Sequence, residues 1–100
     1  MKPKHRKQLI LSTALHLARH RGYQHITREE VAKAGKITPS LVNVHFPTID
    51  LLRAAILAEA IRLCIVEIIA QGLVMRDQTA LDAPHDLKAE AASWMMRGAQ

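Results

Sequence analysis

The sequence predicts an all-α chain, and three observations carry that expectation. Hydrophobic residues are 49% of the 100 residues while aromatic ones are only 3%, and alanine and leucine dominate, a balance that favours helix over strand. Apolar residues recur at helical spacing in separate stretches. Between those stretches stand residues that begin and end helices, each with a local mechanism. One hundred residues make one domain, and a domain of this size buries only about two-thirds of its unfolded surface, so its core is modest and a partner is expected. The expected organisation is a head over residues 1–47 with a basic N-terminal arm, then a helical core and dimerisation segment over 48–100, compact overall.

Residues 1–8, MKPKHRKQ, are too polar to pack and are expected to begin as a loose arm; such arms touch phosphates or the minor groove, with Lys4 and Arg6 the candidate contacts, or simply stay solvated. From there to Arg21, Ile10, Leu11, Ala14, Leu17 and Ala18 share one face, and Gln8, Ser12, Thr13, His16, Arg19 and His20 fall largely away from it. This is an amphipathic first helix, ended by Gly22. His16 and His20 are i, i+4 neighbours able to chelate a metal, but no third ligand is apparent, so they read as surface or phosphate-facing residues and no metal site is assigned. Tyr23 to Ile26 reads as a linker.

Thr27 is followed three residues later by Glu30, the spacing of a capping box, in which the carboxylate reaches back to the N–H of Thr27. A second helix runs from there through Val31, Ala32 and Ala34 to Gly35-Lys36, where Gly35 supplies a residue able to take positive φ. Thr38 offers a second N-cap with Pro39 at the first helical position. A third helix follows through Leu41, Val42 and His45, and Phe46-Pro47 ends it because a residue before proline is pushed out of the α region. Leu41, Val42 and Phe46 are assigned to the core. Two helices of roughly seven residues joined by a short turn have the spacing of a helix-turn-helix, whose second helix enters the major groove of DNA.

Thr48 caps a fourth helix, with Asp50 favourably near its positive end. No proline or glycine interrupts Leu51 to Gln71, and Gly72 is the expected stop. Leu57, Ile61, Cys64, Ile65 and Ile68 form one apolar stripe of this helix. Ile56, Leu63, Val66 and Ala70 form a second, with Arg53, Glu59, Arg62 and Glu67 between. One face can cover the head; the other needs a different partner. Those charges break the run at intervals far below the about 20 apolar residues of a membrane span. Leu73 to Ala83 reads as a loop. Asp82 or Pro84 starts a last helix with Leu87, Ala91, Trp94 and Met95 aligned, and Trp94-Met95-Met96 should pack on the fourth helix of the same chain or of a twofold mate.

Charge is unevenly placed. Residues 1–36 hold nine Lys/Arg against Glu29 and Glu30, a local +7, while residues 37–100 hold five against seven, a local −2. A basic front half carrying the helix-turn-helix suggests a polyanion-binding head on an assembly tail; a solubilising basic surface would give the same distribution. The single Cys64 excludes an internal disulfide and a cysteine-built zinc site, which fits a reducing cytoplasm. The basic start leads into an apolar run too short for a secretory signal.

The stretch from Leu9 to Leu57 resembles the tetracycline-repressor (TetR) type of bacterial transcriptional regulator. The resemblance lies in the apolar first helix, Arg21-Gly22-Tyr23, Thr27, Val31-Ala32, Ile37-Thr38, Leu41-Val42 through His45-Phe46, and Leu51-Leu52. It departs from the family at three places. Lys36 stands where a turn glycine is common, Asn43 and Val44 where tyrosines are frequent, and Ile49 where a lysine usually meets a phosphate. The resemblance implies a homeodomain-like three-helix head, double-stranded DNA as partner, and phosphate contacts from Thr27, Lys36 and His45. At the positive end of the third helix, Thr38 and Pro39 favour a nearby phosphate. Ser40, Asn43 and Val44 are the candidates for base edges, since Asn can bond adenine bidentately and Val44 can press on a thymine methyl; otherwise Asn43 only bonds water and Val44 packs in the core.

No glycine-rich phosphate loop or paired carboxylates are apparent and no cofactor is expected; Ser40 and His45 share a segment, but a triad needs geometry that adjacency in sequence does not give. The family's ligand domain needs more residues than follow Leu51, so no small-molecule inducer is expected within one chain. The leading expectation is a homodimeric, cytoplasmic, sequence-specific DNA-binding regulator, a repressor at a near-palindromic operator. Its dimer contacts would come from Leu57, Ile61, Cys64, Ile65, Ile68, Trp94 and Met95. The alternatives are a DNA-docking module of a replication, recombination or packaging complex, and an antirepressor-type protein-interaction factor.

Overall fold

The computed structural model describes residues 2–98. Among them the chain is helical throughout, without strands: α1 (Pro3–Arg21), α2 (Arg28–Gly35), α3 (Pro39–His45), α4 (Ile49–Arg62), α5 (Val66–Val74), α6 (Gln78–Leu81) and α7 (His85–Gly98). The residues fall into two compact units, one ending at Ile56 and one beginning at Leu57.

In the first unit α1 packs on α2, and α2 on α3. Ile10, Ala14 and Ala18 are fully buried, as the periodicity requires, and Leu15 joins them, while Leu11 and Leu17 are half-buried. The expected loose arm is instead helix: α1 begins at Pro3, and the Lys2 carbonyl accepts from the N–H groups of His5 and Arg6 at 2.9 and 3.1 Å. Lys, Arg and Gln are good helix formers despite their polarity, so the basic start extends α1. Gly22 ends it with φ 89° and its N–H on the Ala18 carbonyl at 2.9 Å. The linker Tyr23–His25 is a 3-10 turn whose Tyr23 is buried, and Ile26, just before the Thr27 cap, is fully buried.

The starts of α2, α3 and α4 fall at their expected caps; several other boundaries do not. Gly35 is the last residue of α2, and the positive φ falls on Lys36, at 56°. The Ile37 N–H reaches back to the Ala32 carbonyl at 3.0 Å and the Lys36 N–H to Lys33 at 3.3 Å, which is the paired bonding of a Schellman turn. The same pattern breaks the expected long fourth helix. Cys64 has φ 58°, Ile65 N–H bonds to the Ala60 carbonyl at 2.8 Å and Cys64 N–H to Ile61 at 3.2 Å, so α4 stops at Arg62 and α5 begins at Val66. It recurs at Arg76, with φ 56° and Asp77 N–H on the Gly72 carbonyl at 2.9 Å. A left-handed non-glycine residue costs about 1–2 kcal/mol. Two backbone hydrogen bonds, each contributing about 1 kcal/mol, offset it, which is why no glycine is needed at these corners.

In the second unit α5 packs on α6 and α7. Ile69, Ala70 and Ala91 form a buried cluster against which Ile61, Val66, Leu73, Leu87, Trp94 and Met95 pack, so Trp94 and Met95 rest on their own chain. Met96 remains 83% exposed. The stretch read as a loop contains the end of α5 and the short α6, capped by Asp77, whose side chain accepts from the Thr79 N–H at 3.1 Å. The last helix starts at His85, with the Pro84 carbonyl accepting from Lys88 N–H at 3.0 Å. Gly72 does not stop a helix; it lies inside α5, where a Cβ would sit 2.7 Å from the Ala80 Cβ and 3.1 Å from a Leu57 methyl. Close approach of α6 requires it.

Two substitutions test this geometry. Gly72→Ala, which in an open helix would stabilise by about 0.5–1 kcal/mol, is expected to destabilise by about 1–3 kcal/mol through overpacking; a raised urea midpoint would contradict the close packing. Cys64→Gly is expected to stabilise by up to about 1 kcal/mol by relieving the left-handed residue, whereas inside a continuous helix it would cost about as much.

Candidate nucleic-acid interface

Local chemistry builds the reader from both ends. At the start of α2 the Thr27 hydroxyl accepts from the Glu30 N–H and donates to Glu30 Oε1, both at 3.2 Å. The Glu30 carboxylate therefore meets the Thr27 hydroxyl, not the Thr27 N–H of the expected capping box. Its second oxygen pairs with the Arg21 guanidinium at the end of α1. At the start of α3 Thr38 accepts from the Leu41 N–H at 3.3 Å, with Pro39 at the first helical position. Thr48 does the same for α4 through the Leu51 N–H at 3.1 Å.

These caps, with the Lys36 corner between α2 and α3, set the rotation of α3. Val42 and Phe46 are buried as expected, and Leu41, assigned to the core, is half-buried. Pro39, Ser40, Asn43 and Val44 are exposed; their i, i+1, i+4, i+5 spacing makes them one face of the helix. Val44 is 72% exposed, which removes its core alternative. The Ser40 hydroxyl lies 3.4 Å from Thr38 Oγ1, to which it donates. Among the candidate phosphate contacts, Lys4, Lys36 and Thr38 are exposed, and Arg6, Thr27 and His45 are half-buried.

Three basic residues that local spacing does not single out have structural partners. The Lys7 ammonium stands 5.6 Å from the centroid of the Phe46 ring, bringing the basic start of α1 beside the end of α3. Arg28 Nη1 donates to the Phe46 and Pro47 carbonyls at 3.2 and 2.8 Å. Arg53 Nη2 donates to the Ile26 carbonyl at 3.3 Å. No spacing rule signals such contacts, since each joins residues 18 or more positions apart in the chain.

The residues expected to form a dimer contact divide. Leu57 and Ile68 are fully buried within the chain and Ile65 nearly so. Those three therefore offer no surface to a second copy, because the corner at Cys64 turns what would have been one stripe inward. Ile61, Trp94 and Met95 are half-buried and Cys64 is exposed. Nearby on α4, Arg62 donates to Glu59, at 2.9 Å for Nη2; that hydrogen bond lowers the Glu59 pKa and raises that of Arg62.

Among the described residues no single helix is long and apolar enough to cross a membrane. No curated protein and no solved structure matches the chain. The family model described as bacterial regulatory proteins, tetR family, matches residues 10–56. That interval opens on Ile10, buried in α1, and takes in the two capped helices, the Lys36 corner and the exposed face of α3. The match identifies residues 10–56 as a tetR-type DNA-binding helix-turn-helix domain, which supports a DNA-binding transcription regulator.

Proposed function

We propose that the protein is a homodimeric repressor that occupies a near-palindromic operator in the cytoplasm and reads each half-site with α3. The observation that carries this reading is the uncovered face of Pro39, Ser40, Asn43 and Val44 on the second helix of a tetR-type motif. In the major groove Asn43 bonds an adenine edge and Val44 meets a thymine methyl. Ser40 lies beside them, while Thr38 and Pro39 meet a phosphate at the helix N-terminal end. Thr27, Lys36, His45, Lys4 and Arg6 contact the flanking backbone, fixing register without reading sequence.

Pairing is supported by the apolar side chains that the second unit leaves uncovered. Leu63, Val74, Met75, Leu81 and Met96 are all at least 40% exposed, apolar surface that a second copy would cover. Two copies related by a twofold axis would place their α3 helices about one helical turn of DNA apart, or a multiple of it. Repression then needs only occupancy of the operator; no inducer site within one chain is invoked.

Selection of bound sites from random duplex DNA, read beside the solution mass, is the direct test. A palindromic motif with a dimer supports the proposal. A multimer without a motif would indicate a docking module of a nucleoprotein complex, and capture of another regulator without DNA binding an antirepressor. On the selected site Asn43→Ala is expected to cost roughly 1–3 kcal/mol and relax preference at one base pair, with little change on random DNA; equal losses on both would remove its reading role. With about six phosphates neutralised, log affinity should fall with log salt at a slope of about −5, and binding indifferent to salt would contradict the mechanism.

A further inference from the structure

We propose that Arg28 is a positioning residue for the reading helix: its guanidinium, held on the Phe46 and Pro47 carbonyls, sets how α3 presents Asn43 and Val44. The inference rests on α3 being the reader. A seven-residue helix is too short to hold itself together, and its last carbonyls have no partner within it. The N-terminal end of α3 is secured by the Thr38 cap and the Lys36 corner. Its C-terminal end closes on one backbone bond, from the Phe46 N–H to the Val42 carbonyl at 2.8 Å. Phe46 leaves the helical region at φ −133° and ψ 83°, and Pro47 has no N–H to offer.

Arg28 ties down the two residues that follow α3. It is the first residue of α2, yet Nη1 reaches the two consecutive carbonyls at 3.2 and 2.8 Å. A charged donor makes these roughly twice as strong as neutral hydrogen bonds. Arg53 completes the circuit from α4, bonding the Ile26 carbonyl immediately before the Thr27 cap. The start of α2 is therefore tied forward to the end of α3 and to the helix that follows it. Asn43 and Val44 lie three and two residues from Phe46, so a shift at that end moves them directly. By charge alone Arg28 would pass for another phosphate contact; its geometry commits it to backbone carbonyls.

Charge and position give opposite results in one experiment. The full chain and its Arg28→Met and Arg28→Lys variants are titrated by fluorescence anisotropy against the selected duplex and a scrambled duplex of equal length, across a salt series. A positioning role predicts that Arg28→Met weakens the selected duplex by about tenfold or more, within the range of a lost base contact, and the scrambled duplex by less than about twofold. The salt slope stays that of the parent, and Arg28→Lys falls between. Equal loss on both duplexes with a slope smaller by about 1 would make Arg28 a phosphate contact and overturn the proposal, as would unchanged binding. Hydrogen exchange on the free proteins separates positioning from stability: faster exchange confined to Asn43–Phe46 is expected, whereas faster exchange throughout α1–α3 with selectivity retained would show a role in stability alone and overturn it. If the parent chain itself selects no motif, the reading assigned to α3 fails and this inference with it. Failure confined to the Arg28 variants overturns the inference alone.

Discussion

A two-helix reader depends on the chain reversing between α2 and α3 without abandoning its backbone hydrogen bonds, and here that reversal rests on Lys36. Its left-handed φ lets the Ile37 N–H return to the Ala32 carbonyl, with Ala32 buried at the contact. From that corner Thr38 caps α3 in a rotation that puts Val42 and Phe46 inward and Pro39, Ser40, Asn43 and Val44 outward. A one-residue change in where the corner closes would turn a helix by about 100°, since 3.6 residues make a turn. The uncovered face and the buried face are one consequence of one backbone conformation.

The basic surplus of the first third of the chain has a more divided use than its sum suggests. Arg21 pairs with Glu30, Arg28 holds the end of α3, and Lys7 stands over Phe46. Lys4 and Lys36 are exposed and keep their charge for the surface. Long cationic side chains can cover apolar or backbone surface with their stems and still present charge. The net charge thus overstates the cationic surface left free, and the exposed face of α3 formed by Pro39, Ser40, Asn43 and Val44 carries no formal charge.

The second unit shows how a local corner redistributes an apolar surface. As one helix, the stretch from Leu51 to Gln71 would carry two continuous apolar faces and call for two partners. Broken at Cys64, it folds Leu57, Ile65 and Ile68 into the interior and lets α7 lay Trp94 and Met95 on α5. The hydrophobic side chains left outside are Leu63, Val74, Met75, Leu81 and Met96, a set the helical wheel of an unbroken helix does not select.

Helix class, the starts of α2, α3 and α4, the inward positions Ala14, Ala18, Val42 and Phe46, and the tetR-type motif could be read from the chain directly. Each rests on neighbours within four residues: a hydroxyl reaching an N–H three residues on, a proline at a first turn, apolar side chains at one period. The corners at Lys36, Cys64 and Arg76, the close approach at Gly72 and the carbonyl clamp of Arg28 were settled only by tertiary structure. A left-handed non-glycine residue is unfavourable taken alone and is stabilised by hydrogen bonds and burial that exist only once the helices meet, so no property of the residue itself announces it.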